Sequence, residues 1–506
     1  MSLRLVTEEI PGRGLVAVAL AVAAGGDDDP PGRHGMAHLV EHLMFPRGEG
    51  HEAGGFVALV QEAGGMCNAE THRDHTVLHT VVPADALPDV LALEARRLLR
   101  FRPAPATVRS ETAVIAEEIR AAGAGARLWD TVLAALHPGA RHAHGTTAEL
   151  TGVTAEEAES FFRAHYRPER AVLSVVGDVD AGRVAALVER EFGAWAPGQP
   201  NAVPPATLPA AAPGAVASLA APGAVASLAA PGTVASLAAP GTVASLAAPG
   251  TVASLAAPGT VASLAAPGTV ASLAAPGTVA SLAAPGTVAS LAAPGALHST
   301  APRPTAPHIP SGHGPSPHRP TLGAAIPYAR DGVAVGHALA DPRDDFRLYV
   351  AQVVLCELLR RGRLPHLVAT APEVDAATVR CGYQGQWLAS AAPDLALVLL
   401  GRVPGAGTEE AVGRWLEALG ELAATAPGET ELRRAARVLR AGCHRQSDSL
   451  PARAVTHARA ALLLPHATPD ELPAHLAAVT PADVSTAARA LLAAPRTVHP
   501  LEGAAA

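Results

Sequence analysis

Valine and leucine alternate with alanine over residues 16–22, within an apolar segment at 14–24 that follows a more polar N-terminal segment. An apolar period of two residues predicts a β-strand. The stretch could also be the apolar part of a secretory signal, but Glu8 and Glu9 precede it where a basic segment would be expected. We therefore predict a strand and a cytoplasmic protein. The chain has no run of about 20 apolar residues, the length that spans a membrane.

A helical pattern follows in residues 35–45, which read Gly-Met-Ala-His-Leu-Val-Glu-His-Leu-Met-Phe. Positions i and i+4 of a helix share one face, so His38 and His42 can direct ring nitrogens at a single metal ion. Glu41 comes three residues after His38 and lies on the same face, within reach of a water molecule at the ion. The order H-x-x-E-H is the inverse of the common zinc-protease motif.

The neighbours of this motif decide between a metal site and a coincidence. Histidine is abundant, with 22 in 506 residues, and a bare H-x-x-E-H also fits an ordinary surface helix. Here apolar residues surround the polar ones, which predicts a mostly buried helix. Burying two imidazoles and a carboxylate without partners is costly, and a bound metal removes that cost. We predict one zinc ion per chain, with Glu41 as the catalytic base.

A second helical pattern, in residues 110–119, supplies carboxylates for the same site. Glu111 and Glu118 are seven residues apart and share a helix face, whereas Glu117 is rotated from Glu118 by about 100°. We predict that Glu118 is the third zinc ligand. Glu111 is predicted to belong to the catalytic group as a carboxylate that orients the site without binding the metal itself.

The chain divides into three parts. Residues 1–199 and 324–506 read as globular, and residues 200–323 between them are of low complexity. This middle part contains a nine-residue repeat, A-A-P-G-[A/T]-V-A-S-L, within residues 211–296. Such a repeat could form a parallel β-helix. Each copy has only one Val and one Leu, and each contains Pro-Gly, so we expect a long disordered linker with local turns instead.

The two globular parts share a local pattern near their ends. In the first, Thr154 precedes a helix and Glu157 follows three residues later; in the second, Thr480 and Asp483 have the same spacing. A Thr followed three residues on by an acid predicts a capped helix N-terminus. A strand pattern follows each helix. The fold predicted from this repetition is one α+β unit used twice.

Composition narrows the possible partners. The net charge of −8 disfavours binding to nucleic acid or to a membrane surface, so we expect neither partner. The four cysteines are scattered and include no C-x-x-C pair, which argues against a disulfide framework and favours a reducing compartment.

Three passages together resemble the pitrilysin (insulinase) family of inverted zinc metallopeptidases, particularly its bacterial members that are similar to mitochondrial processing peptidase. The first is the H-x-x-E-H segment at 35–45. The second is Gly-Gly-Met-Cys-Asn-Ala-Glu-Thr at 64–71. The third is Val-Ile-Ala-Glu-Glu-Ile at 114–119, whose last glutamate, Glu118, stands where the family has its final zinc ligand.

The resemblance implies a zinc endopeptidase that cleaves small or unfolded peptides. It implies two homologous halves arranged like a clamshell, each a mostly antiparallel sheet with helices packed on one face. It also implies that Asn68 and Ala69 lie on an edge strand that pairs with the backbone of a peptide substrate.

The second half departs from the family pattern. It has no H-x-x-E-H, and the family's Arg–Tyr pair, about seven residues apart, is not found. Its tyrosines are Tyr328, Tyr349 and Tyr383, and the closest substitute for the pair, Arg380 with Tyr383, has the wrong spacing. One hypothesis is that the chain forms a homo- or heterodimer with a paralogous subunit that completes the site. The alternative is a non-catalytic structural or docking subunit of a peptidase heterodimer.

Overall fold

The computed structural model describes residues 3–45, 55–195 and 331–502, together with ten four-residue strands between residues 216 and 299. The domain boundaries predicted at 199/200 and 323/324 lie outside the described residues and stay predictions. Within the described part of the chain, no helix combines the length and the apolar character needed to cross a bilayer.

The first half is built on a five-stranded sheet in the order β1-β5-β2-β4-β3. The pair β1 and β5 is parallel and the other pairs are antiparallel. The strand predicted from the alternation at residues 16–22 is confirmed as β2, at the centre of the sheet. The strands are β1 (Arg4–Glu9), β2 (Leu15–Val22), β3 (Met66–Thr71), β4 (Thr76–Pro83) and β5 (Ala171–Gly177).

Among the described residues of the first half, eight α-helices accompany this sheet. The valines and leucine of β2 face a core to which the apolar side of the first helix contributes Met36, Leu39 and Val40, all nearly inaccessible to solvent. The helices are α1 (Met36–Met44), α2 (Gly55–Glu62), α3 (Leu87–Leu99), α4 (Pro105–Ala121), α5 (Ala124–Leu136), α6 (Thr147–Leu150), α7 (Ala155–His165) and α8 (Ala181–Phe192). The motif residues of α1 are therefore held by a helix whose apolar side belongs to the same core as the central strand.

The second half repeats the plan of the first. Its sheet has the order β17-β18-β16-β19, all antiparallel, which is the order β3-β4-β2-β5 without a counterpart of β1. Its strands are β16 (Gly332–Ala338), β17 (Val374–Cys381), β18 (Leu395–Arg402) and β19 (Arg496–Leu501). Its helices are α9 (Phe346–Leu358), α10 (Leu364–Thr370), α11 (Thr408–Ala424), α12 (Glu429–Ser447), α13 (Leu450–Leu463), α14 (Leu472–Ala478) and α15 (Pro481–Ala493). The predicted α+β class with two related halves is confirmed.

The two predicted helix caps are confirmed and mark equivalent points of the halves. Thr154 accepts a hydrogen bond from the Glu157 amide at the start of α7, and the Glu157 carboxylate accepts one from the Thr154 amide. Thr480 and Asp483 make the same reciprocal pair at α15. Helix α7 leads into β5, which pairs antiparallel with β2, and α15 leads into β19, which pairs antiparallel with β16. The metal helix α1 follows β2, and its counterpart α9 follows β16. Helix α9 contains no histidine.

Each half lends one helix to the other half's sheet. Helix α13 of the second half covers the face of β2 that carries Ala17, Ala19 and Ala21. Helix α5 of the first half covers the outer face of the second sheet, where Gly336 leaves room for Val132. The alanines of β2 are thus the small residues that let a helix approach closely. The two halves hold together by exchanging helices as well as by contact at their rims.

Enlarging an alanine of α13 should loosen this interface. Ala458 is fully buried against the first sheet, so Ala458→Leu is expected to lower the free energy of unfolding by about 1–3 kcal/mol through overpacking. Ala452 lies on the same helix but is only partly buried, and Ala452→Leu should change stability by less than about 0.5 kcal/mol. Denaturant unfolding of both variants checks this, and equal losses would contradict the packing described.

Within the predicted linker, nine Val-Ala-Ser-Leu tetrapeptides and the Ala-Leu-His-Ser segment that follows them form short strands. Each strand pairs in parallel with the strand two copies along, giving two five-stranded sheets. The strands are β6 (Val216–Leu219), β7 (Val225–Leu228), β8 (Val234–Leu237), β9 (Val243–Leu246), β10 (Val252–Leu255), β11 (Val261–Leu264), β12 (Val270–Leu273), β13 (Val279–Leu282), β14 (Val288–Leu291) and β15 (Ala296–Ser299). Identical copies allow in-register pairing, and every Pro-Gly falls outside the strands, where it breaks no ladder. The rest of residues 200–323 lies outside the described residues.

Candidate metal centre

Helices α1 and α4 bring two histidines and a glutamate together. The His38 and His42 rings lie edge to face, 4.7 Å apart between centroids, as expected for positions i and i+4. An oxygen of Glu118 on α4 lies 3.8 Å from Nε2 of His38 and 3.6 Å from Nε2 of His42. All three candidate ligand atoms fall within 4.8 Å of one another, and no other group of this kind is found among the described residues.

This donor set fits zinc. Two imidazole nitrogens and one carboxylate are a common protein ligand set for a catalytic zinc ion, with a fourth position left open. Tetrahedral bonds of about 2.0–2.1 Å place neighbouring ligand atoms roughly 3.3 Å apart, close to the separations found here. The histidine side chains are only 10% and 11% exposed, whereas that of Glu118 is 45% exposed. The cluster is therefore buried on the α1 side and open on the side of Glu118.

The other two glutamates of α4 have different surroundings. Glu111 is buried, and its carboxylate lies 3.1 Å from Nδ1 of His42. A donated Nδ1–H leaves the Nε2 lone pair of His42 facing the cluster. Glu117 is 69% exposed and pairs with Arg120 at 2.7 Å. These positions match the roles predicted for the three carboxylates, which remain proposals.

In the metal-free chain, the pKa values of the two histidines are shifted in opposite directions. Burial holds the pKa of His38 well below its usual range. Burial also lowers the pKa of His42, but its hydrogen bonds to Glu111 and Glu118 outweigh burial and raise that pKa to about 9. Without a metal, a proton on His42 therefore holds the two carboxylates together near neutral pH.

Zinc affinity should consequently rise with pH. The His42 pKa is raised above its ordinary value of about 6.5. The proton on His42 therefore stabilises the metal-free fold fully below about pH 6.5, and this stabilisation is lost as pH rises through about 9. Zinc must displace this proton, so its apparent affinity should increase about tenfold per pH unit up to about pH 9 and then level off. Competition titrations with a chromophoric chelator test this, and Glu111→Gln should move the plateau to lower pH. A flat profile between neutrality and the plateau would contradict it.

Glu41 lies beside the cluster and is held by the edge strand. The Thr71 hydroxyl donates a 2.5 Å hydrogen bond to one carboxylate oxygen of Glu41. Thr71 in turn lies 3.4 Å from the Thr76 hydroxyl, which donates to a backbone carbonyl. Burial raises the pKa of Glu41 above its usual range, while His42 and Thr71 oppose that shift. Glu41 is therefore a carboxylate held in place by a hydrogen bond to one of its oxygens.

Asp29 is a supporting residue that the sequence analysis missed. Its carboxylate accepts hydrogen bonds from the amides of Gly35 at 2.6 Å and Ala37 at 2.8 Å, at the start of α1. An anion at a helix N-terminus satisfies amides that have no helical partner. No spacing rule could reveal it, because Gly35 occupies the N-cap position and the carboxylate arrives from six residues earlier.

A second histidine-bearing loop reaches the site through close backbone contact. A Cβ on Gly145 would stand 2.4 Å from the α-carbon of Gly35, so both positions exclude a side chain. This contact places the ring of His144 5.7 Å from that of His38. His144 was not predicted, because a lone histidine far along the sequence carries no spacing signal.

The predicted substrate strand lies at the edge of its sheet. Asn68 pairs with His79 and Ala69 with Leu78 on β4, and β3 has no strand on its other side among the described residues. The role of Asn68 and Ala69 in substrate binding stays a prediction.

The described tyrosines of the second half are hydrogen-bonded to aspartates. The Tyr349 hydroxyl donates to buried Asp394 at 2.8 Å, and the Tyr383 hydroxyl donates to Asp130. Tyr328 lies outside the described residues. Within the described part of the second half, no Arg–Tyr pair of the expected spacing is found.

Comparison with known proteins supports a metallopeptidase. Residues 4–150 match the family described as Insulinase (Peptidase family M16), and residues 152–233 match the Peptidase M16 inactive domain. An uncharacterized zinc protease of Mycobacterium leprae is 34% identical over 196 residues, which are 38% of this chain and 44% of that protein. A probable mitochondrial-processing peptidase subunit beta of Schizosaccharomyces pombe is 26% identical, over 38% of this chain and 43% of that protein. The matched region spans less than half the length of these curated relatives.

The fold is also that of a solved protease. The crystal structure of a protease from Helicobacter pylori superposes with a TM-score of 0.63 at 16% identity, over 98% of this chain and 97% of that one. The resemblance to the pitrilysin (insulinase) family predicted from three motifs is confirmed by the family matches of residues 4–150 and 152–233.

Proposed function

Because residues 4–233 match the two domains of the insulinase family, we propose that this chain is a zinc-dependent endopeptidase of small or unfolded peptides. The observation that carries the proposal is the cluster of His38, His42 and Glu118 with the buried carboxylate of Glu41 beside it. A metal-binding group and an adjacent proton acceptor are the two parts that metal-assisted hydrolysis requires.

Each residue of the site has a separate task in this proposal. One zinc ion per chain, held by His38, His42 and Glu118, would supply a Lewis acid and make water more acidic. Glu41 accepts a proton from the attacking water and passes it to the nitrogen of the leaving amine. Thr71 holds one oxygen of Glu41 by a hydrogen bond and so restrains the carboxylate beside the cluster. Glu111 keeps the His42 ring in place.

The substrate class follows from the edge strand. A peptide that pairs with β3 at Asn68 and Ala69 must present an extended backbone with free amides and carbonyls. Folded proteins already use those groups in their own sheets and helices. The substrates proposed are therefore short peptides or unfolded segments.

A paralogous partner chain is proposed to complete the site. The support is that Tyr349 and Tyr383 are both bonded to aspartates, so the described second half offers no tyrosine for a substrate carbonyl. One relative is itself named as a subunit of a processing peptidase. We place the reaction in the cytoplasm, in keeping with four cysteines that form no disulfide-like spacing pattern.

The competing proposal is a non-catalytic docking subunit. A subunit without chemistry has no need to keep a buried base beside three ligands, and here all four positions are filled. Cleavage of a quenched fluorescent peptide library separates the two. We expect cleavage that a chelator abolishes and added zinc restores, either by this chain or by its mixture with a paralogous chain. Binding to that paralogue without cleavage in any mixture would favour the docking subunit.

A further inference from the structure

A cluster of charged and histidine side chains joins the two halves where β3 turns into β4. Glu70 and His72 come from the end of β3, and His75 from the start of β4. Arg459 reaches them from α13 of the second half, with its side chain 15% exposed. Its Nε lies 3.1 Å from Nε2 of His75, and its Nη2 lies 3.8 Å from the Glu70 carboxylate.

The hydrogen bonds of His75 determine which group is the donor in its contact with Arg459. Nδ1 of His75 lies 2.7 Å from the carboxylate of Asp74, so Nδ1 carries the proton and donates it there. Nε2 of the fully buried His75 is then a lone pair, and Arg459 is the donor that satisfies it. Nε2 of His72 lies 3.1 Å from Glu70, to which it donates. Without Arg459, His75 would keep a buried acceptor with no donor.

The same turn is held by a second element of the second half. The other oxygen of Asp74 accepts hydrogen bonds from the amides of Ala391 at 2.7 Å and Ala392 at 3.0 Å. Within the turn, the His72 amide donates to the His75 carbonyl at 2.8 Å. Residues 72–75 are therefore shaped by groups of the other half as well as by their own backbone.

This turn adjoins the catalytic group proposed above. Thr71, the residue before His72, is the donor that holds Glu41. Successive strand residues point to opposite faces, so Glu70 faces Arg459 while Thr71 faces the metal helix. A shift of the turn would move the Thr71 hydroxyl and the free edge of β3 together.

We propose that Arg459 is a positioning residue through which the second half fixes the end of β3, and with it the base Glu41 and the edge that pairs with substrate. The kinetic part of this inference rests on the proposed peptidase function. Closure of the two halves thereby aligns a site whose reacting groups all belong to the first half.

Arg453 provides a matched control. It lies on the same helix, is 14% exposed, and makes two 2.6 Å hydrogen bonds to Glu8 on β1. Strands β1 and β3 are the opposite edges of the sheet. Arg453→Met therefore removes an equally buried contact between the halves without touching the turn at residues 72–75.

The test compares Arg459→Met, Arg459→Lys and Arg453→Met in the full chain, with its paralogous partner present if cleavage requires one. We expect Arg459→Met to lower kcat/KM for a quenched peptide on the order of tenfold, below the roughly hundredfold cost of a 1 Å misplacement, with both kcat and KM affected. Arg459→Lys should recover part of the loss, because an ammonium can still donate to His75. Arg453→Met should keep wild-type kinetics, and zinc content should be unchanged in all three.

Hydrogen exchange measured by mass spectrometry gives a readout independent of catalysis. Amides of residues 66–76 should exchange faster in Arg459→Met than in the wild type or in Arg453→Met. Equal exchange and equal kinetics for the two methionine variants would overturn the proposal. If the wild type cleaves no peptide under any condition, the proposed function fails, and the exchange comparison still decides whether Arg459 orders the turn.

Discussion

Glu41→Gln is expected to lower kcat for peptide cleavage by about 10²–10⁴-fold while zinc stays bound, because an amide cannot accept the proton of the attacking water. Glutamine has nearly the same shape and can keep the hydrogen bond with Thr71. The ligand atoms are those of His38, His42 and Glu118, so metal content should not change. Steady-state kinetics and metal analysis of the same preparation measure both effects.

The pH dependence of peptide cleavage tests the role of the Glu41 carboxylate in a second way. Burial raises the pKa of Glu41 in the metal-free chain, and the hydrogen bond from Thr71 opposes that rise. Thr71→Val removes this donor and should move the acid limb of kcat/KM to higher pH than in the wild type. A Glu41→Gln enzyme that keeps more than about a tenth of wild-type turnover would refute the role of Glu41.

Glu118→Gln is expected to weaken zinc binding by more than about 100-fold, beyond the 10–100-fold cost of losing an outer hydrogen-bond partner of a ligand. A neutral amide is a poorer ligand than a carboxylate and leaves the positive ion less compensated. The matched control is Glu117→Gln, one residue earlier on α4. Glu117 is 69% exposed and paired with Arg120, so this variant should bind zinc like the wild type.

Chelator competition and calorimetry on the two variants measure the difference. Glu111→Gln should fall between them, since Glu111 holds the His42 ring without facing the cluster. Stronger loss in Glu117→Gln than in Glu118→Gln would reverse the assignment of the third ligand.

The part of the site that sequence could predict is the part set by local helical geometry. His38 and His42 share a face because they are four residues apart, and Glu118 shares the face of Glu111 because seven residues are two turns. The strand at residues 15–22 and the two capped helices followed from equally local patterns. Each of these rules links residues within two turns of a helix or one strand.

Contacts that join distant segments could not be predicted in the same way. The bond from Thr71 to Glu41 and the two bonds from Asp29 to the start of α1 depend on how separate elements pack. Arg459 meets His75 across 384 positions of sequence. The alanines of β2 were visible as a pattern, but nothing in their spacing indicated that a helix of the other half covers them.

The strands of the repeat depend on pairing between copies. One Val and one Leu per copy are too few to build a core in a single copy, which favours a disordered linker. Strand pairing between copies does not need a core in each copy, because identical tetrapeptides satisfy one another's backbone groups in register. This stabilisation comes from pairing between copies, so the residues of a single copy do not indicate it.

The most direct test is the zinc content of the purified chain, measured together with peptide cleavage as zinc is removed and returned. We expect about one zinc ion per chain, lost in Glu118→Gln, with cleavage by the chain or its paralogous pair rising in proportion to zinc occupancy. A chain that binds no zinc, or cleavage that is indifferent to zinc occupancy, would contradict this expectation.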